Sequence, residues 1–75
     1  MEELEQIECF KNVISNLSGN NYNIYVRIIN NESITKDILN NIDGLDYEYL
    51  DFGIFKIWFS EENKDKVIKR LKEEF

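Results

Sequence analysis

The chain has no histidine and no proline, one cysteine and three glycines among its 75 residues. Each shortage removes a class of chemistry. Without histidine there is no Ser-His-Asp or Cys-His nucleophile arrangement and no imidazole ligand for a metal. A single thiol, Cys9, can close no internal disulfide and build no zinc or iron–sulfur site, which points to a reducing compartment rather than a stapled secreted scaffold. Its neighbours Glu5 and Glu8 disfavour the thiolate, so it reads as inert. Gly19, Gly44 and Gly53 stand apart from one another, leaving no glycine-rich phosphate loop. No apolar run approaches the ~18 residues of a membrane span. The opening "MEELEQIECF" carries four glutamates and no base, the reverse of a secretory n-region. The expectation is a cytoplasmic protein with no cofactor, no metal and no membrane contact.

What is present is enough for one small domain. Hydrophobic residues make up 43% of the chain, too many for a disordered tail, and the 32% charged residues supply a solvated exterior. Residues 1–75 therefore read as a single soluble α+β domain, which at this length buries only about 60% of its unfolded surface. Fifteen acids against nine bases give a net charge of −6, and the whole excess lies before residue 61. Such a field repels phosphate backbones, so direct nucleic-acid binding is disfavoured and a basic protein partner is favoured.

The order of elements comes from hydrophobic spacing. Apolar residues at 4, 7, 10, 13, 14 and 17 fit a helical period, with Gly19 as its stop, so a first helix is expected over 4–17. "YNIYVRII" alternates as a strand, with Ile24, Val26 and Ile28 on one side. Ser33 can cap a second helix carrying Ile34, Ile38, Leu39 and Ile42. "LDYEYLDFGIFKIWF" then holds six of the ten aromatics, and its "DFG" reads as a tight turn between strands at 45–51 and 54–59. Ser60 is placed to cap a last helix with Val67, Ile68, Leu71 and Phe75 as its apolar stripe.

This α-β-α-β-β-α order predicts an α+β fold with a three-stranded antiparallel or mixed sheet, ordered 1-3-2, two helices on one face and an extra N-terminal helix. From residue 22 onward the element order resembles the β-α-β-β-α part of a ferredoxin-like fold without its final strand. ACT-type small-ligand sensors share that order, but their sites use a glycine in the first strand-to-helix turn, where this chain has "NNES".

Alternation divides the aromatic hairpin. Phe55, Ile57 and Phe59 belong under the helices, whereas Tyr25, Arg27, Ile29, Ile54, Lys56 and Trp58, with Asp46, Glu48 and Leu50, point the other way. Either the first helix covers that second face through Ile7, Phe10, Ile14 and Leu17, or the face meets a partner. Asp43, Asp46, Glu48 and Asp51 match no EF-hand spacing. The resulting expectation is a non-enzymatic acidic interaction module, an inhibitor or modulator of a basic nucleic-acid-handling protein of the kind phages and mobile elements make. Its candidate contact residues are Glu2, Glu5, Glu8, Asp46, Glu48, Asp51, Tyr25 and Trp58. The alternative is a homodimeric regulatory domain joined through the first helix or the free edge of the first strand.

Overall fold

In the computed structural model, which describes Met1–Phe75, Gly19 begins a two-residue hairpin turn instead of ending a helix. Strands β1 (Phe10–Ser18) and β2 (Asn21–Ile28) pair antiparallel with Ser18 opposite Asn21, and Gly19 takes φ 62°. A positive φ at the first central position is what a two-residue hairpin loop asks of glycine. The expected helix over 4–17 is thus corrected. Only Glu2–Glu5 (α1), a single turn, is helical there.

The reason lies at Asn12. Lys11 pairs with Arg27 and Ile14 with Tyr25, so two residues of β1, Asn12 and Val13, stand against the single Val26 of β2. This is a β-bulge, with Asn12 at φ 55°. The extra residue shifts the alternation, and Phe10 and Val13, three apart, both turn toward the core. A spacing of three in an edge strand imitates a helical period. Leu4 and Ile7 extend the imitation, although they belong to α1 and the turn that follows it and are buried separately.

The remaining elements are α2 (Glu32–Asn40), β3 (Asp46–Asp51), β4 (Ile54–Ser60), a 3₁₀ turn at Glu61–Asn63 and α3 (Lys64–Glu74). The α+β class is as expected, but the sheet has four strands, all pairs antiparallel, in the order β1-β2-β4-β3. The three expected strands keep their relative places as β2-β4-β3. β1 covers the outer side of β2, so the strand expected to be a free edge is internal. The caps also differ from expectation. Asn31, not Ser33, caps α2, its Oδ1 accepting from the Ile34 amide at 3.0 Å, and Ser60 makes no capping hydrogen bond.

The core lies on one side of the sheet. Ile24, Val26 and Ile28 of β2 and Phe55, Ile57 and Phe59 of β4 are buried against Leu39, Val67 and Leu71 of the helices and against Leu4 of α1. Each such side chain contributes roughly 1.5–3 kcal/mol by leaving water. Tyr49 and Tyr47 flank Phe55 at ring-centroid distances of 4.9 and 6.1 Å. No helix is long and apolar enough to cross a membrane.

Candidate functional site

The opposite side of the sheet carries no helix, and α1 does not reach it. α1 packs instead on the core side, with Leu4 fully buried and the N-terminal amine of Met1 donating to Ser15 Oγ at 2.8 Å. Residues facing out from this open side align in rows across the strands. Ile14, Tyr25, Lys56 and Glu48 form one row, and Asn16, Asn23, Trp58 and Asp46 form the next. At the level of Arg27 and Ile54 lie Lys11 and, beside the bulge of β3, Leu50.

This face is unusually apolar for something uncovered. Ile14 is 65% exposed, Leu50 40% and Tyr25 38%. Together with Ile54 and the stem of Arg27 they line a shallow groove of about 390 Å³ that draws one apolar side chain from each of the four strands. Scattered single apolar residues on a surface need no explanation, whereas apolar side chains gathered in one groove make this face the candidate site. Lys56 lies among the rings, its Nζ 5.3 Å from the Trp58 ring and 5.9 Å from the Tyr25 ring. Arg27 Nε is buried with no hydrogen-bond partner.

Charge is unevenly spread across the face. Lys11 and Arg27 sit on β1 and β2 with no acid among them, while Asp46 and Glu48 sit on β3 with no base. Lys56 stands opposite Glu48 in register without forming an ion pair. The chain contains two salt bridges, Lys36–Glu32 at 2.9 Å and Arg70–Glu74 at 3.6 Å, both within helices.

Of the residues expected at a contact surface, the fold brings Tyr25, Trp58, Asp46 and Glu48 together on the open face. Asp51 stands at its margin, in the bulge of β3 at φ 128°. Glu2, Glu5 and Glu8 do not join them, because α1 and the turn after it belong to the core side. Ile14 and Lys11 were missing from the expected set because their segment read as helical. The "SGNN" stretch was the available signal, since Gly-Asn between two apolar runs is a hairpin signature. Ile29, expected on this face, lies beyond the end of β2.

Burial chiefly, and Glu8 after it, push the Cys9 thiol above its ordinary value, away from nucleophilic behaviour. No group of three or more His, Cys, Asp or Glu side chains is arranged to hold a metal ion. No protein-family model, curated protein or solved structure matches the chain.

Proposed function

We propose that this chain is a non-enzymatic protein-interaction module that docks through the open face of its sheet. The observation that carries this reading is the groove of Ile14, Tyr25, Leu50 and Ile54, an apolar surface that no element of the chain covers. A domain this small has little apolar area to leave in water, and these side chains add little to its own core. Affinity capture from the native host tests it, comparing the wild-type chain with a Tyr25→Ser/Leu50→Ser variant. A protein retained by the first and lost by the second is expected; retention unaffected by the change overturns the face as the contact site.

A second reading concerns charge. All but two of the fifteen acidic side chains lack an ion-pair partner, which favours a basic partner surface, as on a nucleic-acid-handling enzyme inhibited by a phage-type protein. Glu2, Glu5 and Glu8 belong to this reading rather than to the open face. Binding of that kind weakens steeply with salt and with replacement of these three glutamates by glutamine. Salt-indifferent binding removes it. The lone free thiol at Cys9 supports a cytoplasmic setting for either reading.

A further inference from the structure

We propose that β3 accepts an added strand along its free edge, supplied by an extended segment of a cationic protein in which basic and apolar side chains alternate. This edge is a different surface from the open face, and it shares with the charge reading only the sign of the partner.

β3 closes one side of the sheet and pairs with β4 alone. No loop, helix or side chain hydrogen-bonds to the outer side of its main chain. An edge strand presents alternate N–H and C=O groups outward, a template on which a further strand can form. The opposite edge is less suited. There the Asn12 bulge interrupts β1, and the Met1 amine is held beside it at Ser15.

Space for a strand lies next to the β3 edge. α2 packs on the core side of the sheet and leaves between itself and β3 a cavity of about 580 Å³, walled by Leu39, Leu45, Tyr47 and Tyr49. Polar contacts brace its two sides: Tyr47 Oη donates to Asn40 Oδ1 at 3.0 Å, and Lys36 Nζ lies 4.9 Å from the centre of the Tyr49 ring. Every second side chain of an added strand falls on this side of the sheet, against Leu39 and the two rings, where an apolar residue fits.

Charge selects what the intervening side chains must be. Asp46 and Glu48, two residues apart, lie on the other side of the same strand, and neither forms an ion pair. Lys56, the register partner of Glu48, is placed over the Tyr25 and Trp58 rings instead. In neighbouring strands, opposite charges side by side are favourable and like charges are not. A second copy of β3 would set acid beside acid, so the carboxylates exclude self-pairing at this edge and favour a strand with lysine or arginine at every second position. The bulge between Tyr49 and Asp51 ends the regular ladder, which leaves Asp46–Tyr49 as the docking edge.

The probe is a capped peptide of about seven residues in which valine and lysine alternate, added to the isotope-labelled full chain and followed by NMR. At about 2 mM peptide, a site with a Kd of about 1 mM is roughly two-thirds filled. Amide shifts are expected to move along Asp46–Tyr49 and at Leu39 and Asn40, and the outward amides of that strand segment to exchange with solvent at least about twofold more slowly. Two control peptides are expected to produce neither change: one with glutamate for lysine, which loses the charge match, and one N-methylated throughout, which keeps the charge and loses the backbone donors. Asp46→Asn/Glu48→Gln is expected to weaken binding by about fivefold or more, whereas Glu2→Gln/Glu5→Gln/Glu8→Gln changes it by less than about twofold. The inference is overturned by an absence of shifts in β3, by shifts confined to β1 or to the N-terminal glutamates, or by an N-methylated peptide that binds as well as its parent. Should the Asp46→Asn/Glu48→Gln chain lose the wild-type circular dichroism, the exchange measurement on the wild type with the three peptides decides alone. The open-face reading stands or falls separately, with its Tyr25→Ser/Leu50→Ser variant.

Discussion

Tyr25 and Lys56 are register partners on the two central strands, and the Lys56 ammonium lies 5.9 Å from the Tyr25 ring and 5.3 Å from that of Trp58. The lysine stem covers apolar surface while its charge stays in contact with water and with two aromatic faces. At an exposed site such contacts contribute about 0.5–1 kcal/mol, enough to hold the rings in place but too little to hold the fold.

The two faces of one sheet should therefore respond to truncation very differently. Tyr25→Ser is expected to change the unfolding free energy of the monomer by less than about 1 kcal/mol. Phe55→Ala, on the same pair of central strands but 1% exposed and flanked by Tyr47 and Tyr49, is expected to cost about 3–5 kcal/mol. Urea titrations at a concentration low enough to keep the chain monomeric measure both. A large loss from Tyr25→Ser would show the open face to be part of the stabilising core.

How much of the fold was legible depended on where the alternation ran unbroken. β2 and β4 keep strict period two through Ile24–Ile28 and Phe55–Phe59, and their core and open faces were readable residue by residue. In β1 the extra Asn12 breaks that period, and period is the main signal that separates strand from helix. The open face was legible in its β2, β4 and β3 parts and not in its β1 part. The covering helix was an error of that one segment. Asn12 itself offers a test, because φ 55° is tolerable for asparagine and glycine and strained for a β-branched residue. Asn12→Gly should shift stability by less than about 0.5 kcal/mol, while Asn12→Val should lower it by about 1–2 kcal/mol. Equal effects of the two changes, read from their urea midpoints, would show the bulge to be absent in solution.

Phe52 poses the opposite case, a bulky side chain where the backbone wants a small one. It occupies the first central position of the β3–β4 hairpin at φ 55°, followed by Gly53 at φ 77°, and its ring is 85% exposed. Two positive values in succession describe the turn that favours Asn-Gly. The ring gains almost nothing from the rest of the chain, so Phe52→Asn is expected to stabilise the monomer by about 1 kcal/mol. For a domain of this size that corresponds to a rise of about 4–8 °C in Tm. A fall in Tm would mean that the ring packs against the fold in solution.

The pair on the exposed side of α2 gives a prediction in pH. Lys36 Nζ donates to Glu32 Oε2 at 2.9 Å across one helical turn, and this bond holds the Glu32 carboxyl below its ordinary value of 4.5. The same contact raises Lys36 above its ordinary 10.5. For Glu32 the folded state binds its proton less readily than the unfolded one. Its contribution is thus complete above pH 4.5 and lost as pH falls through the lowered folded value. For Lys36 the order reverses: the contribution is complete below pH 10.5 and lost as pH rises through the raised folded value. Both groups are solvent-exposed, so the effect on global stability is small, and the informative measurement is the titration of the Glu32 side chain by NMR. Glu32 should titrate below its ordinary value in the wild type and move back upward in Lys36→Met. An unchanged Glu32 titration in that variant would show that the ion pair does not persist in solution.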